Sequence, residues 1–443
     1  MSGDEQFHEA ERLGPAPPVP ESGVRRLARM ATVDLGPLRR HRDFRLLFAG
    51  QAVTFFGSMI TYVALPYQTY QLTRSSLAVG LLALAELVPL LSMAIFGGAL
   101  ADAMDRRRMV WLSELGLSLG AGVLVLNALL PDPRVWVLFV VSAWMAGLSG
   151  IQRPSLDALT PRLVTREEMP AASALDSLRW QFGMIGGPAV GGILIASIGL
   201  AATYTIDVAT FLVSLAVLSR MRAVPPPPDA ERPSLRGIVE GFRYARSRPE
   251  LIGTYSVDMV AMFFGIPTAL YPAFADEFGG AGVLGLMYAA PSVGSFLATL
   301  TSGWTSRVHR HGLAVILAAA AWGVGVTLLG FAPNIELALA ALAFAGAADM
   351  VSGIFRSTIW NQTIPDRLRG RLAGIEQVSY SSGPLLGDVE AGVVATLFGV
   401  RASIVSGGIL CVAGVAAAAA ALPAFRRYDA RKFVPEPTPA PVP

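Results

Sequence analysis

The sequence is short of the residues that most soluble chemistry depends on. In 443 residues it has one cysteine, four histidines and a single lysine, Lys432. One thiol makes no disulfide framework, and Cys411, in the last apolar stretch, is expected to be buried and inert. His8, His41, His309 and His311 fall in tails or loops, which excludes a histidine-based metal or nucleophile constellation inside the apolar stretches. No Gly-x-x-x-x-Gly-Lys-Ser/Thr phosphate loop occurs, so nucleotide hydrolysis by this chain is not expected. No cofactor, metal or enzymatic activity is expected. Charge is scarce as well. Only 15% of residues are charged and 53% are hydrophobic, whereas a soluble chain carries about 25% charged residues.

Apolar stretches of eighteen or more residues recur from end to end, each long enough to cross a hydrocarbon core of about 30 Å. We read an all-α membrane protein of twelve transmembrane helices in two six-helix bundles. The first six spans are placed at about 44–70, 77–100, 108–130, 134–155, 170–197 and 200–220. The second six are placed at about 251–275, 281–303, 312–331, 335–356, 371–397 and 399–423. Residues 1–42 and 426–443 read as cytoplasmic tails, the first disordered, 43–220 and 251–425 as the bundles, and 221–250 as a cytoplasmic linker. The N-terminal tail is polar and proline-rich with no apolar signal region.

Positive charge separates by loop. Arg106, Arg107, Arg108, Arg162 and Arg166 fall on one side, together with seven linker arginines, Arg307, Arg310, Arg367, Arg369, Arg371, Arg426, Arg427 and Arg431. The opposite loops hold Arg74, Arg134 and Arg401 against Asp132, Asp276, Glu277 and Glu336. The positive-inside rule makes the arginine side cytoplasmic, with both termini inside a multi-pass cell-membrane protein. The net charge of +3 is therefore topological and does not point to nucleic acid.

The halves repeat. "SGIQR" after the fourth span faces "SGIFR" after the tenth, Gly150 against Gly353, a separation of 203 (353 − 150). Gly98 faces Gly303, and the "GGP" at Gly186–Pro188 faces the "SGP" at Ser382–Pro384. Two parallel halves around a midplane cavity are an architecture of secondary transporters.

Glu86, Asp258 and Asp388 lie well inside the second, seventh and eleventh spans. Charges there are expensive and are functional candidates, here for protons or substrate. Asp349 and Arg356 on the tenth span are expected to pair, and Arg179 on the fifth to meet an anionic substrate; Asp207 is read as structural. Gly183, Gly187 and Gly191 recur every four residues and line one helix face. That bare face lets a second helix, expected to be the eighth, approach backbone to backbone, while Pro188 bends the rod.

Two stretches carry a resemblance. "GGALADAMDRRR" resembles the loop motif of the major facilitator superfamily at Gly98, Asp102, Arg106 and Arg107, departing where Asp105 replaces a glycine. The resemblance implies that Asp102 latches onto the N-terminus of the eleventh helix near Gly370–Leu372; Arg106 is expected to pair with Asp157. "GMIGGPAVGG" matches that superfamily's antiporter motif at Gly183, Gly187, Pro188, Gly191 and Gly192, which implies proton-driven efflux. The mid-fourth-helix arginine of the superfamily is missing, since none lies between Arg134 and Arg153.

From "DFRLLFAGQAVTFFG" through "NALLPDP", "ALYPAFAD" and "GLMYAAPSVGSFLATLTSG" to "GRLAGIEQVSYSSGPLLGD", the chain resembles the siderophore exporters related to the enterobactin exporter. This implies export of an apo-siderophore by a monomer in the lipid bilayer, with multidrug or macrolide efflux as the alternative. Tyr62, Tyr67, Phe182, Tyr255, Phe263, Phe264 and Tyr288 on the cavity helices would suit aromatic cargo.

Overall fold

A computed structural model of the protein describes residues 34–225 and 242–432, except for the side chains at 95–103, 366, 367, 369–371, 373–375, 377 and 432. The remaining parts of both tails and of the linker lie outside the described residues. Long helices dominate: α1 Arg42–Thr73, α2 Ser76–Ala103, α3 Arg106–Ala128 and α4 Val135–Leu163. Next comes Met169–Leu218, which breaks at Gly199 (φ 80°, ψ 171°) into α5, 169–198, and α6, 200–218. The second half holds α7 Pro249–Gly265, α8 Ala281–Leu300, α9 His311–Phe331, α10 Ile335–Thr363, α11 Asp366–Phe398 and α12 Val400–Ala421. Among the described residues, ten helices are long and apolar enough to cross a membrane, counting Met169–Leu218 once. The break at Gly199 and the more polar α11 bring the number of long rods to twelve.

Two rods start at side-chain caps, and a third is closed by an arginine. Asp105, the residue that departs from the loop motif, caps α3. Its carboxylate accepts the Arg108 N–H at 2.8 Å and the Val224 N–H at 2.7 Å, so one side chain satisfies an orphan helix donor and ties down the start of the linker. Asn334 caps α10 in the same way, accepting from the Leu337 N–H at 3.0 Å. Arg107 closes α6, donating to the Leu218 and Ser219 carbonyls at 2.9 Å each.

Three spans differ from their expected lengths. α4 runs to Leu163 and α10 to Thr363, about two turns beyond the sequence estimate in each case. Pro154 and Pro161 do not stop α4, because neighbouring helices stabilise such breaks inside a membrane protein. The seventh span, expected to be continuous, stops at Gly265; a 3-10 turn, Thr268–Leu270, and a short helix, Tyr271–Asp276, complete it. Pro267 supplies no N–H and holds Ile266 extended (φ −116°, ψ 91°).

Packing repeats between the halves. α1 pairs with α5 as α7 pairs with α11, α2 with α4 as α8 with α10, and α3 with α6 as α9 with α12. Across the halves, α5 meets α8 as α11 meets α2. Gly399 between α11 and α12 (φ 92°) repeats the positive φ of Gly199, a conformation that favours glycine because it has no Cβ.

The small-residue face of α5 seats on α1. A Cβ at Gly187 would lie 3.2 Å from the Phe56 carbonyl oxygen, and one at Gly191 would lie 3.1 Å from the Ile60 Cα. The expected partner, α8, is met on a different stripe, at Pro188, whose carbonyl oxygen would collide with a Cβ at Gly285, and at Gly192. There a Cβ at Gly192 would stand 2.5 Å from the Ala281 carbonyl oxygen and 2.8 Å from the Gly285 Cα. The reason is angular: Gly183, Gly187 and Gly191 share one stripe, and Gly192 lies about 100° around the helix from Gly191. Cys411 is buried between α12 and α9, its Sγ 3.8 Å from the Ala319 carbonyl.

Leucine at Gly187 is expected to wedge α5 off α1 and to destabilise the fold by about 1–3 kcal/mol. Leucine at Gly282, where the space around a Cβ is open, should be tolerated. Thermal unfolding of the two purified variants in detergent checks this contrast; equal melting temperatures would contradict it.

Candidate transport site between the bundles

Aromatic and charged side chains of both halves converge on the space between the bundles. Tyr62 of α1, Tyr288 of α8 and Tyr271 of the short helix form an edge-to-face row, with centroids 5.2 Å apart at each step. Tyr62 lies within electrostatic reach of Glu86, Tyr380 and Asp388. Both Tyr62 and Tyr380 lie deep in the fold, yet keep 44% and 53% of their surface accessible. A side chain that is deep and accessible at once faces an internal hollow.

The carboxylates at this hollow are tethered. Ser142 of α4 donates to Glu86 of α2 in a short hydrogen bond. Asp388 of α11 accepts the Thr268 hydroxyl at 2.5 Å and the Ala269 N–H at 2.7 Å. It therefore caps the turn where Pro267 interrupts the seventh span, supplying an acceptor that no water would supply inside a membrane.

Lower in the C-terminal bundle, Arg356 of α10 forms a close ion pair with Asp258 of α7 and lies 3.4 Å from Asp349 on its own helix. Glu376 and Tyr380 of α11 are within its field. The expected Asp349–Arg356 pair is present, and Asp258, singled out separately, joins it. Removing one partner of a buried pair leaves the other charge uncompensated.

Other candidates lie apart from this group. Arg179 pairs with Asp176 at 3.3 Å, and its guanidinium sits 5.6 Å from the Phe55 ring centroid. Both charged residues, with Asp157 and Gln51, line a cavity of about 200 Å³ between α1, α4 and α5. Arg106 reaches α4 through the Ala158 carbonyl at 3.2 Å, while Asp157 lies on that cavity. The side chains of Gly98 and Asp102 lie outside the described residues, as do those of Gly370 and Arg371. Asp207 is fully buried and accepts the Thr61 hydroxyl at 2.5 Å, in keeping with a structural role. A larger cavity, about 670 Å³, lies among Leu297, Trp304, Leu317 and Phe344 of the α8–α10 region, side chains exposed on the surface of the C-terminal bundle.

Of the expected aromatics, Tyr62 and Tyr288 meet at the hollow, whereas Tyr255 stacks on Trp360 within its own bundle at 5.8 Å. Sequence reasoning missed Tyr271, Tyr380 and Glu114. Glu114 is fully buried in α3, where Gln51 donates to it at 2.6 Å. It also placed Arg153 at the end of a span, but α4 continues to Leu163, so Arg153 is an intrahelical cation. The repeat held that signal, because Arg153 matches Arg356 across "SGIQR" and "SGIFR".

Arg356→Ala is expected to destabilise the protein by about 3–5 kcal/mol by stranding Asp258. The double variant Arg356→Gln with Asp258→Asn should recover most of the loss. Thermal unfolding of the three proteins tests this; a double variant no more stable than Arg356→Ala would show that the pair is not what holds α7 to α10.

The comparisons with known proteins agree with this architecture. A family model described as "Transmembrane secretion effector" matches residues 32–441. The enterobactin exporter EntS of Escherichia coli O1:K1 is 29% identical over 385 residues, covering 86% of this chain and 92% of that protein. Among solved structures, a POT family transporter in complex with 5-aminolevulinic acid superposes with a TM-score of 0.69 at 11% identity, covering 87% of this chain and 97% of its own. The nucleoside transporter NupG gives a TM-score of 0.70 at 14% identity, covering 85% and 99%. At those identities the two structures speak for the fold alone. The chain, a multi-pass membrane protein with transporters for relatives, belongs to the transmembrane secretion effector family of the major facilitator superfamily.

Proposed function

We propose that the protein exports a siderophore, an enterobactin-like catecholate in its metal-free form, across the cell membrane by proton-driven alternating access. The observation that carries this reading is the interbundle hollow, bordered by Tyr62, Tyr288 and Tyr380 and by the carboxylates Glu86 and Asp388. Aromatic walls suit stacking on catechol rings. The relatives named as enterobactin exporters support the same cargo class.

The packing supports a transporter sealed at one end. Arg74 and Gln71 after and within α1 reach Asp276 at 2.7 and 3.2 Å across the bundle boundary. A Cβ at Gly392 of α11 would lie 2.9 Å from the Leu77 Cα of α2, a second close seam between the halves in addition to the Gly192–Gly285 approach. All of these contacts sit away from the arginine-rich loops. Trp180 and Phe182, toward the arginine end of α5, keep 43% and 67% exposure. We assign the sealed end to the outside and the arginine end, with both termini, to the cytoplasm. In this arrangement cargo enters from the cytoplasm, and the halves rock about the glycine seams to release it outward.

Protons would enter at the tethered acids. Asp388 holds the interrupted seventh span, so neutralising it would loosen the cap and let that segment move. Glu86, Asp258 and Asp349 are the other acids inside the spans. Asp102 would latch the halves at the cytoplasmic face, where a carboxylate at a helix N-terminus contributes about 0.3–2 kcal/mol. The protein would work as a monomer.

Deleting the gene should cause the apo-siderophore to accumulate inside the cell, with the wild-type gene reversing the build-up. A protonophore should abolish export, and Asp102→Asn should lower it while leaving the protein in the membrane. Unchanged secretion together with altered drug tolerance would instead assign the chain to multidrug efflux.

A further inference from the structure

The two halves carry matching arginines in opposite surroundings. In the N-terminal half, Gly187 faces Phe56 and Met59; in the C-terminal half, Gly383 faces Met259 and Met262. These contacts set α1 against α7 at an offset of 203 (262 − 59) and α5 against α11 at 196 (383 − 187). "SGIQR" and "SGIFR" set α4 against α10 at 203 (356 − 153). The acids around Arg356, namely Asp258, Asp349 and Glu376, therefore correspond to Phe55, Ala146 and Trp180 around Arg153.

The surroundings of Arg153 follow from this exchange. Its guanidinium lies 6.0 Å from the Trp180 ring centroid, and Trp180 stacks on Phe55 at 4.7 Å with 25° between the planes. Arg153 is exposed and within the field of Tyr380 across the hollow. Among the described residues it makes no ion pair. Asp157, one turn along α4, is within its field, and Asp176 is engaged by Arg179 at 3.3 Å. Arg356 is neutralised in place, whereas Arg153 is held over an aromatic wall with its charge available.

We propose that Arg153, Trp180 and Phe55 form the recognition pocket for an aromatic anion, an aryl ring of the cargo that carries an anionic group. The ring packs against the stacked aromatics and the anionic oxygens accept from the guanidinium fork, an arrangement that arginine geometry favours. Arg356 is the closed counterpart, unable to take an anion because Asp258 already occupies it. The proposal rests on the exporter reading above and assigns the charged end of its cargo to the N-terminal half.

The test is equilibrium binding of 2,3-dihydroxybenzoate to the purified full-length protein in detergent, by calorimetry. Catechol is the uncharged comparator, and cyclohexanecarboxylate is the anion without an aromatic ring. The aromatic anion should bind more tightly than either. Arg153→Gln should weaken it by about tenfold or more, the loss of a charged hydrogen bond, and Arg153→Lys should recover part of that. Phe55→Asp, which supplies the carboxylate found in the other half, should abolish binding by engaging Arg153; Phe55→Asn, uncharged, should weaken it less. Wild-type affinity in Arg153→Gln or Phe55→Asp, or equal binding of catechol, would overturn the pocket. If the pocket fails while a deletion strain still accumulates siderophore, only this assignment falls. If the probe binds as expected but no siderophore accumulates, the cargo reading falls and the anion pocket stands.

Discussion

A membrane gives two helices no hydrophobic reason to associate, because lipid tails are as apolar as the side chains they would replace. What remains is close contact, and in this protein it is supplied by glycine. Gly187 and Gly191 let α5 lie against the α1 backbone, and Gly192 with Gly285 lets the same helix touch α8 across the bundle boundary. One helix is thereby fastened within its own half on one stripe and to the opposite half on another. The hollow lies between the two halves that this double contact joins.

The same solvent explains the polar chemistry. Away from water, a buried polar group is costly unless it finds a partner in the protein. Asp388 meets the hydroxyl and N–H at the interruption of the seventh span, Ser142 meets Glu86, Gln51 meets Glu114, and Thr61 meets Asp207. Most of these acids are structural as they stand. What distinguishes Asp388 and Glu86 is that they also border the hollow, so that the group holding a helix in place is the group a proton could reach.

Duplication gave the protein two copies of one arginine, and the copies have diverged around it. Three acids surround Arg356, whereas aromatic or small residues hold the equivalent places beside Arg153. A two-fold scaffold can in this way keep its packing while one half keeps an ion pair and the other presents a cation.

Much was legible before any coordinates. Apolar length and the repeat pointed to the helical membrane class and the two halves, and the motifs at Gly98–Arg107 and Gly183–Gly192 resembled the superfamily. Covalent composition alone sets how long a run can span a bilayer, and the spacing of glycines sets which helix face is bare. The Asp349–Arg356 pair was also readable, since residues two turns apart on one helix share a face. What tertiary structure decided was partnership: that the glycine stripe meets α1, that Asp258 joins Arg356, that Tyr271 and Tyr380 reach the hollow, and that Arg153 lies inside α4. Proline made the ends of α4 and α7 misleading, because whether it stops a helix depends on what neighbouring helices offer its freed carbonyl. Contacts between residues far apart in sequence depend on how the rods are turned and tilted against one another, and no local periodicity carries that information.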